Sequence, residues 1–281
     1  MMTLPYPPQR PLSVGEVLDL SFRIYRATVV KCLLFSAGGV IAGQLANIYM
    51  LASGRAQVKG SAGWEVVATQ LRDPPLLALT LIGAVLTLVF YAAVLLRQRQ
   101  MISEGAAGGE FAAALRRLPA LLGLVILIWA ACVACFVPAF VTGGGLRILL
   151  VLAGIIALSY GFVAISCAMP VLFIEDAGPL ASLSRSWRLT TGSFWRLSVI
   201  YTVALIVLLV LYVVIAAVAG FLAAILGHGD VAMVTAFAEV VGVALGALAT
   251  PFYGALALAV LGDLKVRKEG ADLEQRISAT A

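Results

Sequence analysis

Leu197-Ser-Val-Ile-Tyr-Thr-Val-Ala-Leu-Ile-Val-Leu-Leu-Val-Leu-Tyr-Val-Val-Ile-Ala-Ala-Val-Ala-Gly-Phe-Leu-Ala-Ala-Ile-Leu226 runs without a single charged side chain. About 20 mostly apolar residues are enough for a helix to cross a hydrocarbon core of roughly 30 Å. The solvent of this stretch is therefore lipid. Working outward, five further stretches reach the same length with almost no charge: 27–51, 75–96, 119–141, 146–169 and 231–261. The fold class that follows is an all-α integral membrane protein with six transmembrane helices, built as a single polytopic domain over 1–281 with 262–281 as a cytoplasmic tail. The fifth and sixth spans exceed what a bilayer requires and must tilt, kink or project beyond it. Pro138 in the third and Pro251 in the sixth are the expected kink sites.

Composition agrees, since 62% of the 281 residues are hydrophobic and only 12% charged, about half the charge of an ordinary soluble domain. The net charge of +5 would suggest a nucleic-acid partner, but the cations collect at the ends of the apolar stretches, where lipid headgroups lie. With the N-terminus inside, the segments 1–31, 97–118, 170–196 and 262–281 hold 15 of the 19 Lys and Arg, leaving Arg55, Lys59, Arg72 and Arg147 outside. The positive-inside rule then places both termini in the cytoplasm. The first 26 residues contain Pro5, Pro7, Pro8 and Pro11 and no apolar run before a cleavage site, so the first span is expected to direct insertion.

The outer links at 142–145 and 227–230 read as tight glycine turns that make hairpins of spans three and four and of spans five and six. A short helix is expected near 64–71 in the longer first outer loop. The inner connections are longer, and three of them look alike: Ser13 to Arg26, Gly109 to Leu118, and Gly178 to Leu189. Each reaches Arg seven or eight residues after a Gly. They predict three amphipathic interfacial helices on the cytoplasmic side and a helix-plus-hairpin unit repeated three times. Phe111, Leu115 and Leu118 form one apolar stripe, and Leu180, Leu183 and Trp187 another, each able to lie in the membrane plane while arginines meet phosphates. Ser13 and Glu16 have capping-box spacing, and Pro179 suits a first helical turn.

Little here points to catalysis. His228, the one histidine, sits in an outer turn beside Asp230, and no phosphate loop, H-E-x-x-H or G-x-S-x-G occurs. Cys32, Cys132, Cys135 and Cys167 all lie in apolar segments, and Cys132 and Cys135 read as small packing residues. No cofactor and no metal site is expected. Glu239 is the intramembrane exception, roughly 12 Å into the sixth span at 1.5 Å per residue. A carboxylate there should face protein or water, with Gln44 and Asn47 among its candidate neighbours, together with Ser159, Tyr160 and Ser166. Gly242, Gly246, Ala249 and Gly254 read as sites of close helix approach, and Lys31 as a snorkelling cation.

Three motifs carry a family resemblance. Arg10-Pro-Leu-Ser-Val-Gly-Glu-Val-Leu-Asp19 with Phe22-Arg-Ile-Tyr-Arg26, Ser184-Arg-Ser-Trp-Arg-Leu189 with Gly192 and Phe194, and Asp263-Leu-Lys-Val-Arg-Lys-Glu-Gly270 with Asp272-Leu-Glu274 resemble the bacterial membrane-domain family named after glycerophosphoryl diester phosphodiesterase. The resemblance implies a multi-pass protein of the bacterial cytoplasmic (inner) membrane. In some relatives a catalytic barrel follows, using paired carboxylates, histidines and a divalent metal. His228 alone does not furnish that set, and no phosphodiesterase activity is expected. The functional expectation is a non-enzymatic scaffold or accessory protein that docks anionic membrane lipids or a membrane-protein partner through Arg23, Arg26, Arg116, Arg117, Arg185, Trp187 and Arg188. The alternative is a carrier of a lipid or small amphiphile with Glu239 lining the path.

Overall fold

The computed structural model describes residues 6, 8–53, 72–103, 108–226 and 231–280, with 226, 231, 232, 235 and 271–280 described as backbone only. The expected helix at 64–71, the turn at 227–230 and the residues Arg55, Lys59, His228 and Asp230 lie outside the described residues, as do the side chains of Asp272 and Glu274. Every regular element among the described residues is an α-helix: α1 (Val14–Gly43), α2 (Leu45–Ala52), α3 (Pro74–Ile102), α4 (Glu110–Arg116), α5 (Leu118–Val141), α6 (Gly144–Ile165), α7 (Ala168–Ile174), α8 (Pro179–Thr190), α9 (Phe194–Leu226) and α10 (Val231–Thr280). Among the described residues six stretches are long and apolar enough to cross a membrane: α1, α3, α5, α6 with α7, α9, and the part Ala236–Gly270 of α10.

Several boundaries differ from the sequence reading. The first expected interfacial helix is no separate element, because α1 starts at the Ser13 cap and continues unbroken into the span. Both halves of the capping box are present: Ser13 N–H donates to Glu16 Oε2 at 2.6 Å and Glu16 N–H to Ser13 Oγ at 3.3 Å. The first span breaks at Gln44, where Gln44 and Asn47 bond to each other across the join of α1 and α2. The fourth span is made of two helices, turning at Ser166 and Cys167 from α6 into α7, and reaches Ile174 rather than 169. The tail expected at 262–281 is the continuation of α10, whose Asp263 and Leu264 are among the most buried residues of the chain. Pro138 and Pro251 lie inside unbroken helices. The turn at 142–145 forms as expected, with Gly144 at φ +63°, a conformation that costs glycine nothing.

α10 is the central post: 61% of its apolar window is buried, against none for α9. It packs along α1, which in turn packs along α3. Small residues set these approaches. A Cβ on Gly83 of α3 would stand 2.5 Å from the Ala42 carbonyl oxygen of α1, and one on Gly246 of α10 would meet Val40 at 3.2 Å. Gly242 faces open space, so only part of the expected small-residue set serves packing. The main core joins Val17, Leu20 and Ile24 of α1 to Leu197 and Ile200 of α9 and to Phe252–Leu264 of α10. It sits at the end of the bundle where α4, α7 and α8 gather. Towards the other end, side chains such as Val141, Phe140 and Ile156 are left largely exposed, as helices facing lipid tails require.

Candidate functional site

The packed end is organised by buried charge. Asp263, 1% exposed, accepts the Leu12 N–H at 2.8 Å and pairs with Arg196 at 2.5 Å and Arg267 at 3.1 Å. Both guanidinium groups also donate to the Leu12 carbonyl, Arg196 at 2.7 Å. One carboxylate thus ties the segment before α1 to α9 and α10, with its lone pairs matched by charge-assisted bonds. The same segment lies flat on α10 because Gly262 has no side chain: a Cβ there would meet Tyr6 at 2.9 Å and Pro8 at 3.1 Å. Tyr6 donates to the Leu258 carbonyl at 3.2 Å, and Arg99 stands 5.4 Å from its ring centroid. Burial pushes the Tyr6 phenol up to about 12, so it stays a neutral donor.

A second group of charges anchors α8. Glu175, in the link before it, pairs with Lys265 at 2.6 Å and Arg185 at 3.3 Å, and Arg185 reaches Glu269 as well. Ser186 and Thr190 donate to the Ala164 carbonyl at 2.7 and 3.3 Å, satisfying an acceptor left over where α6 ends. The buried face of α8 is therefore Ser182, Ser186, Leu189 and Thr190, while Leu180 and Trp187 of the expected stripe are 69% and 48% exposed. Arg117, between α4 and α5, donates to the carbonyls of Leu172 at 2.9 Å, Asp176 at 3.1 Å and Ala177 at 3.3 Å. It also pairs with the Asp176 carboxylate at 2.6 Å, holding a residue at φ +55°, a region Asp tolerates. Glu110 opens α4 with its side chain buried and paired to Arg97 at 2.6 Å. Burial alone would raise this carboxyl, but the Arg97 bond and the Glu110 and Gly108 N–H groups bring it below its ordinary value.

The residues expected to dock lipid or partner thus divide. Arg117 and Arg185 are spent inside the fold, a correction that sequence spacing could not supply. Arg23 forms an exposed pair with Asp19 at 2.7 Å. Arg26, Arg116 and Arg188 are exposed and make no ion pair or hydrogen bond among the described residues. Trp187 meets the Tyr160 ring edge-on at 5.5 Å and leaves half its surface open. Glu239 is exposed on α10, also without an ion pair or hydrogen bond among the described residues. Of the two expected surroundings, protein or water, no protein partner is found among the described residues, and neither Gln44 nor Asn47 bonds to it. No cluster of three metal-ligating side chains occurs among the described residues, and Cys132 and Cys135 are half-buried thiols.

No family model, curated protein or solved structure matches the chain. The three motifs singled out in the sequence meet in space. Leu12 of the first contacts Asp263 of the third, and Arg185 of the second contacts Glu269 of the third. Sequence reading passed over Arg196 and Gln98. Gln98 is fully buried and donates to Thr28 at 3.1 Å and to the Pro251 carbonyl at 2.7 Å, joining α1, α3 and α10. A Cβ on Gly254 would collide with its side-chain oxygen. The available signal was a polar run, Arg97-Gln-Arg-Gln100, continuing a spanning helix.

Proposed function

We propose that this chain is a non-enzymatic integral membrane scaffold or accessory protein whose packed end docks the anionic headgroups of the cytoplasmic leaflet, and through them or beside them a membrane-protein partner. The observation that supports the reading is the division of the arginines. Arg97, Arg117, Arg185, Arg196 and Arg267 are consumed by internal carboxylates and carbonyls, whereas Arg26, Arg116 and Arg188 are exposed and make no ion pair among the described residues. On the same helices, one to four residues from these cations, stand Phe22, Leu115 and Trp187, exposed by 42%, 47% and 48%. Cations beside exposed aromatic and aliphatic side chains suit the headgroup boundary, where both find partners. The proposal includes a bacterial inner-membrane setting with both termini inside, α4 and α8 as the interfacial helices, and kinship with the family that the motifs resemble. The carrier reading would need a partner or a second surface beside Glu239, which is exposed on α10 without an ion pair or hydrogen bond among the described residues.

A basic side chain near an anionic surface contributes about 1 kcal/mol. The triple variant Arg26→Gln, Arg116→Gln, Arg188→Gln should therefore weaken interaction with anionic lipid by about 3 kcal/mol, on the order of a hundredfold. In nanodiscs of mixed phosphatidylcholine and phosphatidylglycerol, the wild-type protein should enrich phosphatidylglycerol around itself and the triple variant should not. Equal enrichment by both proteins would defeat the proposal.

A further inference from the structure

Two opposite charges stand unmatched on the spanning helices that flank α9. Glu239 lies on α10 and Arg147 on α6; both are exposed, and neither makes an ion pair or hydrogen bond among the described residues. A carboxylate within hydrocarbon should meet protein or water, and lipid tails supply neither. Counted from the ends of their helices away from the packed core, Glu239 is eight residues past Val231 and Arg147 three past Gly144. Their depths thus differ by about 7.5 Å at 1.5 Å per residue, a gap that two long side chains reaching towards each other can close. Within one chain they are kept apart, since α9 packs along α10 and against α6, while α6 and α10 make no comparable contact with each other among the described residues. The same α9 leaves its apolar window wholly unburied. Its side chains Leu197, Ile200 and Ala204 are buried against the rest of the fold, and at 3.6 residues per turn Gly220 and Ala224 fall about 160° and 200° round from Ala204, on the opposite face. Both are exposed, and a Cβ on Gly220 would meet nothing within 4 Å. Small residues four apart let two membrane helices bring their backbones together. Eight residues before Leu226, at the level of Glu239, comes Val218, beside this small-residue stretch.

We propose that the open face of α9 is the interface with a second copy of this chain, related by a two-fold axis along the membrane normal that passes between two α9 helices crossing near Gly220. Rotation about that axis sets α10 of each copy beside α6 of the other. Glu239 of each copy then faces Arg147 of its partner, and the interface closes with two identical ion pairs. The charges select the occupant: lipid tails match neither of them, whereas one chain carries both members of the pair on either side of the same helix. The inference is independent of lipid docking at the packed end.

The test uses the full chain, labelled at its C-terminus with a donor or an acceptor dye, in liposomes of phosphatidylcholine and phosphatidylglycerol, with self-association read by energy transfer as the protein is diluted in lipid. Wild type should associate. Glu239→Arg alone and Arg147→Glu alone should each weaken association on the order of a hundredfold, because like charges then oppose across both contacts. Mixing the two single variants should restore it, since in the mixed dimer every arginine meets a glutamate, and the double variant carrying both changes should associate as wild type does. Recovery on mixing also shows that the single variants fold, and no pairing within one chain could produce it. Gly220→Ile should weaken association while leaving thermal unfolding of the monomer in detergent unchanged, because its side chain enters open space. A wild-type protein that stays monomeric would overturn the proposal and leave Glu239 to a partner of another kind. Association untouched by either reversal, or a mixture no better than its components, would overturn it equally.

Discussion

Replacing Asp263 by Ala removes the acceptor shared by Leu12, Arg196 and Arg267 from a position that is 1% exposed. Breaking a buried pair by deleting one partner costs about 3–5 kcal/mol, because the remaining charge is left unmatched. Here the two arginine side chains are 20% and 33% exposed and both retain the Leu12 carbonyl, so water and that carbonyl recover part of the loss. The expected cost is at the lower end, about 3 kcal/mol. It should fall on the segment before α1, since Leu12 loses its side-chain acceptor while the apolar contacts of α10 remain. An opening made easier by about 3 kcal/mol exchanges on the order of a hundred times faster. Hydrogen exchange of a peptide covering residues 8–20, measured in nanodiscs, reads this directly. Asp263→Asn keeps the acceptor for the Leu12 N–H but not the charge, and should fall between Ala and wild type. The reasoning is refuted if Asp263→Ala exchanges like wild type, or if Asn and Ala are equally fast, which would remove charge from the explanation.

Gly83→Ala should destabilise the bundle by about 1–3 kcal/mol, the usual cost of overpacking, because the new methyl would stand 2.5 Å from a backbone oxygen that cannot swing aside. Gly161→Ala, with open space at its Cβ, is the matched control, and thermal unfolding in detergent should separate the two. The Glu110–Arg97 pair contributes stability that depends on pH with a definite sign. The folded carboxyl titrates below its ordinary value of 4.5, so its contribution is full above that value and disappears as pH falls through the lower, folded one. Comparing wild type with Glu110→Gln across that acidic window should show a stability gap that closes on acidification; a constant gap would contradict the assignment.

Much of the fold was legible in residue order alone. Spans of uncharged residues decide their own solvent, because an unpaired backbone group in hydrocarbon must close its bonds within a helix, and this needs no knowledge of neighbours. The capping box at Ser13 and the glycine turn at 142–145 were equally local and formed as read. What local pattern could not assign was which charges the protein keeps for itself. Arg116 and Arg117 are adjacent, and Arg185 and Arg188 share one short helix, yet in each pair one side chain is held by partners from distant elements and the other has none among the described residues. Those partners, Asp176, Glu175 and Glu269, are brought into reach only when α7, α8 and α10 converge. The residues 262–281 read as a tail because they are charged, whereas tertiary packing turns Asp263, Lys265 and Glu269 inward onto Arg196, Glu175 and Arg185 and makes the first turns of that segment part of the core. Glu239 shows the converse: burial in the bilayer was inferred from its place in the sequence, and only the packing of α10 against α1 decided that it points outward. The sequence by itself determined the solvent, the number of long apolar helices and the capped start of α1; the tertiary structure decided the use of each charge, because an ion pair is fixed by proximity in space and proximity between distant segments is written in no short stretch of chain.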